Sequence, residues 1–146
     1  MIRFVLTAAL LSWIALGSSS AAEPTEVQVY KTPTCGCCAK WVDHLRDNGF
    51  SVSVTELKDV TPIRLENGVP RRLASCHTAI VEGYIVEGHV PAEDIRRLLD
   101  ERPKVSGLAV PGMPIGSPGM EGPNPVRYEV LSFGADGTRV FAKHGP

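Results

Sequence analysis

Four cysteines offer this chain its reactive chemistry: Cys35, Cys37 and Cys38 fall within four residues of one another, and Cys76 follows at a distance. A thiolate is both a redox nucleophile and a soft metal ligand, so the cluster admits two chemistries. Taken at i and i+3, Cys35 and Cys38 form a Cys-x-x-Cys pair suited to thiol–disulfide exchange. Cys37 disturbs that simple role, because a third thiol inside a redox pair traps mixed disulfides or scrambles them. Three adjacent thiolates suit a soft metal ion, or a small cluster in which sulfurs bridge several ions. Structural disulfides are not expected despite the even count, since cysteines gathered in one place cannot staple distant parts of a fold.

Cys76 is followed at once by His77, a thiol and an imidazole side by side. On extended backbone, adjacent side chains point to opposite faces, which leaves His77 open as a ligand. Met113 and Met120 are the two methionines beyond Met1, set in the near-repeats Pro111-Gly112-Met113-Pro114 and Pro118-Gly119-Met120-Glu121. Methionine ordinarily fills gaps in a core. Here both sit in a Gly/Pro stretch, where a thioether is a soft ligand that survives oxidising surroundings. Sulfur-rich sites suit Cu(I), although thiolates alone also suit zinc and iron–sulfur clusters. His89 reads as a capping or surface histidine, and His44 and His144 carry no functional signal.

The elements that must position these residues follow from periodicity. Val27 and Val29 alternate with polar neighbours from Glu26 to Lys31, a short strand that ends before Pro33. Cys38, Trp41, Val42 and Leu45 recur at helical spacing, and Gly49 closes that helix. The cysteine cluster thus lies at a helix N-terminus, where unpaired N–H groups and the dipole favour thiolate. Phe50, Val52 and Val54 give a second strand. Thr61-Pro62 starts a short helix, with Thr61 as cap and Gly68 as its end. Thr78 to Val81 and Tyr84 to Glu87 flank Glu82-Gly83 as a hairpin, and Pro91 opens a further helix burying Ile95, Leu98 and Leu99. The order β-α-β-α-β-β-α is that of a thioredoxin-like α/β fold. Residues 107–125 contain five Gly and five Pro and no periodic pattern, and are expected to form a structureless loop. Tyr128 to Phe133 and Arg139 to Lys143 around Asp136-Gly137 then form a terminal β-hairpin.

Residues 1–22 read as a cleavable signal peptide: Arg3, an apolar run from Phe4 to Leu16, and small residues ending at Ala22. The remainder, about 124 residues with 14 basic and 16 acidic side chains, is one domain's worth of chain. Residues 23–105 are expected to form the thioredoxin-like domain, with 106–146 a metal-binding extension packed on it. The charge balance gives no footprint for nucleic acid, no later segment is apolar enough to span a bilayer, and a monomer is expected.

Tyr30-Lys31-Thr32-Pro33-Thr34-Cys35-Gly36-Cys37-Cys38 with Trp41, Cys76-His77-Thr78, Glu87-Gly88-His89-Val90-Pro91, and the run from Gly107 to Met120 resemble the CopG family of copper-resistance proteins. The match covers essentially the whole chain beyond the signal peptide. It implies a periplasmic thioredoxin-like domain with a metal-binding C-terminal extension. It also implies a cysteine-bridged multinuclear copper site that interconverts Cu(I) and Cu(II) ahead of efflux. Carried onto this chain, the cluster sulfurs are Cys35, Cys37, Cys38 and Cys76, with Cys35 and Cys38 as the redox pair. Met113, Met120 and His77 join the metal ligands by position and donor type. The expected partners are copper ions and a copper efflux system or periplasmic copper carrier. Three alternatives stand beside this: a copper chaperone or store without catalysis, a thiol–disulfide oxidoreductase using Cys35 and Cys38, and a structural zinc site.

Overall fold

Strand β1 (Glu26–Lys31) buries Val27 and Val29 completely and turns their polar neighbours outward, as the alternation in its sequence requires. In the computed structural model, which describes residues 23–146, β1 leads into helix α1 (Gly36–Asp47). The expected signal peptide, residues 1–22, lies outside the described residues. Cys38, Trp41, Val42 and Leu45 form the buried stripe of α1, and Gly49 leaves it at φ +82°. Strand β2 (Ser51–Glu56) then runs parallel to β1.

Helix α2 (Thr61–Glu66) has Val60, not Thr61, at its cap position. Among the described residues no side chain caps it there, and Asp59 Oδ1 accepts the Thr61 N–H at 2.8 Å. A 3₁₀ turn (Arg71–Leu73) precedes strands β3 (Thr78–Val81) and β4 (Tyr84–Glu87). Their tight turn sets Glu82 and Gly83 at φ +46° and +85°, the twist a two-residue hairpin needs. Helix α3 (Ala92–Glu101) buries Ile95 and Leu98, while Leu99 packs at the edge of the core.

The Gly/Pro stretch is not wholly structureless. Its first residues form strand β5 (Gly107–Ala109), parallel to β4 and antiparallel to β6 (Tyr128–Gly134). Only glycine fits at its start, since a Cβ on Gly107 would lie 1.8 Å from the Ile85 carbonyl oxygen. Strand β7 (Gly137–His144) completes one mixed seven-stranded sheet of order β2-β1-β3-β4-β5-β6-β7. Along β4, Val86 enters the main core with Trp41, Leu45, Ile95 and Leu108, whereas Ile85 joins a smaller cluster with Val69, Leu73 and Phe133. The sheet is therefore covered on both faces near its centre, where the loops that carry the cysteines leave it.

Candidate metal centre

Three chain segments meet at the N-terminal end of α1. The first is the turn Pro33–Cys35 with the first turn of the helix. Cys35 occupies the cap position in extended conformation, and no side chain among the described residues caps the helix, so its free N–H groups and positive dipole end face the cysteines. Cys35 and Cys38 are joined as a disulfide, and the Cys37 sulfur lies 3.5 Å from that of Cys35. Cys38 is fully buried against the core, while Cys35 and Cys37 are partly exposed.

The second segment is Ser75-Cys76-His77, at the entry to β3. A buried carboxylate fixes it. Glu87, with no exposure, accepts the Ser75 N–H at 2.6 Å and the Arg64 Nε–H at 2.8 Å on Oε1, and the Thr78 hydroxyl at 2.6 Å on Oε2. Arg64 also donates to the Ser75 carbonyl, and the Ser75 hydroxyl donates to the Gly112 carbonyl. The result carries Cys76 to the α1 cluster: Cys35, Cys37, Cys38 and Cys76 offer sulfurs that all lie within 4.8 Å of one another.

The third segment joins β4 to α3 and is pressed on by the Gly/Pro loop. Here the structure corrects the expectation for His89, which is neither a cap nor on the surface. It is fully buried, and its Nε2 lies 2.9 Å from the Cys76 sulfur. Its Nδ1 faces the Pro118 carbonyl at 2.7 Å. A carbonyl only accepts, so Nδ1 carries the proton and the Nε2 lone pair faces sulfur. Gly119 makes this approach possible: at φ +84°, a Cβ there would lie 2.6 Å from the Cys37 carbonyl oxygen and 2.9 Å from the Trp41 nitrogen.

His77 joins the same group. Cys76 sits in a bend before β3 begins, so strict alternation does not apply, and His77 Nδ1 lies 3.2 Å from the Cys76 sulfur. The ring packs 4.3 Å from Trp41 and edge-on to His89 at 5.0 Å. Its Nε2 is buried and has no hydrogen-bond partner among the described residues, an arrangement that costs about 1–3 kcal/mol. Cys76, His77 and His89 form a second set of donors within 4.8 Å of one another.

Burial sets the protonation of this group. It holds His77 well below its ordinary value, with neighbouring His89 adding to the effect, and lowers His89 as well. Both imidazoles are therefore neutral at pH 7 and able to donate lone pairs. Burial, followed by the charge of Cys37, pushes the Cys76 thiol up to about 12. That thiol keeps its proton until a cation displaces it, so metal capture here releases a proton. Soft sulfur, neutral imidazole and an unpaired buried nitrogen fit a soft thiophilic ion such as copper.

Met113 and Met120 each follow a glycine that packs against one of these segments. Met113 follows Gly112, which anchors Ser75, and is 51% exposed. Met120 follows Gly119 against α1 and is half-buried. His44 lies apart from the sulfurs: its Nε2 accepts the Ala92 N–H at 3.1 Å and caps α3.

Residues 73–120 match a family model described as a protein of unknown function, DUF411. No curated protein matches the chain. Two solved structures of copper resistance protein CopG, described as form 2 and form 1, share 42% identity with it. They cover 84% and 85% of this chain and 100% of their own, with TM-scores of 0.80 and 0.79.

Proposed function

This chain belongs to the family of copper resistance protein CopG, and on that premise we propose that it binds copper in a cysteine-bridged cluster and interconverts Cu(I) and Cu(II). The observation that carries the proposal is the convergence of Cys35, Cys37, Cys38 and Cys76 within 4.8 Å from two separate segments. Four sulfurs this close can surround one soft ion or bridge several, and the copper count below decides between the two. His77, Met113 and Met120 are the further ligands.

Copper is the substrate, and Cys35 and Cys38 are the redox pair. When their two thiolates close to a disulfide they release two electrons, which convert two Cu(II) to two Cu(I). A thiol or dithiol reductant returns the electrons and reopens the pair. The free helix terminus behind Cys35 favours the thiolate form that gives up those electrons.

The sheet order β2-β1-β3-β4, with β2 parallel and β3 antiparallel to β1, supports a thioredoxin-like arrangement for residues 23–105. Residues 106–146 then serve as the extension that closes the site, since Gly112 and Pro118 touch Ser75 and His89. The pattern of residues 1–22 supports export to the periplasm, where a copper efflux system or copper carrier is the partner. Among the described residues no helix is long and apolar enough to cross a membrane.

Loading the reduced protein with Cu(I) without oxygen, then counting copper and recording a visible spectrum through an oxidation–reduction cycle, tests the proposal. Several coppers per chain and a reversible spectral change support it. One copper or none, or zinc retained in preference, overturns the cluster. The Cys35–Cys38 disulfide at a helix N-terminus favours one second reading, a thiol–disulfide oxidoreductase acting on proteins. Insulin reduction that survives Cys37→Ser would establish it.

A further inference from the structure

We infer that the outer edge of β2 pairs antiparallel with the β2 of a second copy of this chain, with Val54 of both copies on the twofold axis. The inference does not depend on copper. Strand β2 is one margin of the seven-stranded sheet and β7 is the other, and the two are built differently. Along β7, Arg139 and Lys143 put cations in the strand, and a register shift between Val130 and Leu131 leaves Phe141 unpaired. Arg97 from α3 donates to the Phe141 carbonyl at 2.6 Å and lies over its ring at 3.8 Å. Charge, irregularity and a covering side chain are the devices that keep an edge from pairing. Strand β2 has none of them along its centre. It reads Ser-Val-Ser-Val-Thr-Glu, in unbroken register with β1 and uncharged until Glu56. No strand among the described residues pairs with its outer side.

Backbone direction decides which groups are free. The Ser51 N–H donates to the Thr25 carbonyl at 3.0 Å and the Leu57 N–H to the Lys31 carbonyl at 2.9 Å. Odd-numbered residues of the strand therefore bond inward to β1, and Val52, Val54 and Glu56 turn their N–H and carbonyl groups outward. One of these outward groups, the Val52 carbonyl, accepts a long bond of 3.3 Å from the exposed Arg46 side chain. Outward groups at every second residue satisfy one another about a twofold axis through Val54. The two Val54 residues exchange both hydrogen bonds, and Val52 of each copy exchanges both with Glu56 of the other.

Side chains and charge agree with this register. Val52 and Val54 stand beside Val27 and Val29 on the core face, yet Val54 is 37% exposed at the margin, and its counterpart covers it. On the opposite face Ser53 meets Thr55. Arg46 lies at the Val52 end of the strand and Glu56 at the other end, so antiparallel pairing brings each guanidinium to the other copy's carboxylate. Both are accessible: Glu56 is held by Lys31 through Oε1 alone and is 53% exposed, and Arg46 is 50% exposed beside Asp43 of its own helix. Parallel pairing would set like charge against like. Because β1 runs parallel to β2 and leads to the cysteines, the two metal centres lie at opposite ends of the joined sheet and both stay open. The monomer expected from the sequence is then one half of a weak dimer. So short an edge buries less than the about 1,000 Å² of a standing interface, which puts association above about 10 µM.

The test is sedimentation velocity from about 5 to about 500 µM, with a reductant present so that no disulfide joins the chains, and amide exchange by NMR at both ends of that range. Sedimentation should move from monomer toward dimer, and the amides of Val52, Val54 and Glu56 should become protected as it does. Val54→Lys sets two cations on the axis without touching a bond of the monomer, and should weaken association about tenfold or more. Arg46→Glu should weaken it too, and serves in place of Val54→Lys if circular dichroism shows that variant unfolded. Arg139→Glu, on β7, should leave association unchanged. A monomer across the whole range overturns the inference, as does a dimer whose protected amides lie on β7 or elsewhere. Association of Val54→Lys at the strength of the unaltered protein also overturns it. Protection of the β2 amides in a monomer at every concentration would mean that another part of the same chain covers the edge, and overturns it as well.

Discussion

Two histidine-bearing clusters lie at the N-termini of two helices, and they differ in what they leave unsatisfied. At α1, His77 and His89 are buried and neutral, face a sulfur, and include a nitrogen with no partner among the described residues. At α3, His144 from the end of β7 lies between Glu93 and Asp94, with Nδ1 3.6 Å from the first and Nε2 2.6 Å from the second. Geometry alone lets either group hold a metal. Chemistry separates them. In the α3 cluster the imidazole already has Asp94 at hydrogen-bond distance and Glu93 beside it, and Tyr128 stacks on it at 5.3 Å, so the group serves as a latch between hairpin and helix. The α1 cluster keeps a free thiol between two buried imidazoles, and the proposed copper site rests on that contrast.

The largest effect should come from the atom that both α1 donor sets share. Cys76→Ser should abolish multinuclear copper binding, as measured by copper per chain. The apo fold should change little, by about 1 kcal/mol or less, because a half-buried thiol contributes little net hydrogen bonding. Retention of the full copper complement by this variant would break the contrast between the clusters at its source.

Next in size is the support behind the site. Glu87→Ala removes a fully buried carboxylate and leaves Arg64, the Ser75 N–H and the Thr78 hydroxyl without their acceptor. Breaking a buried ion pair from one side should cost about 3–5 kcal/mol in chemical denaturation. Glu87→Gln keeps the oxygen facing Ser75 and should cost less. Both should weaken copper retention, since each frees the loop carrying Cys76; unchanged retention in the alanine variant would show that the loop does not need this anchor.

A pH titration of the protein and of one variant tests the α1 cluster. The folded values of His77 and His89 are lowered from 6.5, chiefly by burial, so below pH 6.5 the unfolded chain takes up protons that the folded chain refuses. Stability from this source is fully present above pH 6.5 and is lost as pH falls toward the folded values. The slope is at most about 1.4 kcal/mol per pH unit for each histidine. Urea midpoints measured from about pH 7 to about pH 5.5 should fall in the apo protein and fall less steeply in His77→Ala. An unchanged slope would mean that His77 is not held neutral in the folded state.

Much of this architecture is legible in the sequence because it is local. The alternation of β1, the stripe of α1 and the hairpin at Glu82-Gly83 each depend on residues within a few positions of one another. The gathering of Cys35, Cys37 and Cys38 is likewise local. What escapes is set by contacts between loops. His89 reads as a surface residue because Pro118, whose carbonyl aims its ring, lies 29 residues further on. Strand β5 hides in a Gly/Pro run because three residues are too few to show a period, and both neighbouring strands are needed to reveal it. A signal for His89 was nonetheless present: Gly88 before it, at φ +74°, would place a Cβ 2.5 Å from the Ser75 hydroxyl oxygen, and so marks a close crossing of loops beside Cys76. His144 had no such marker, being defined by a partner on another element.

The smallest effect should be at that latch, and it is the control on which the contrast depends. His144→Ala leaves Asp94, whose side chain is 6% exposed, without its imidazole and exposes one face of Tyr128. An unpaired buried polar group costs about 1–3 kcal/mol, so the urea midpoint should fall by that order. The Tyr128 hydroxyl should respond too. Its ionisation is pushed up to about 12 by burial and then by Asp94 and Glu93, and opening the latch to solvent should bring it down toward 10, a change visible in ultraviolet titration. Copper per chain should not change in either redox state, because nothing in this group touches the α1 sulfurs. A His144→Ala protein that lost copper while keeping its fold would mean that the α3 cluster is also a metal site, and that paired donors had been mistaken for finished ones.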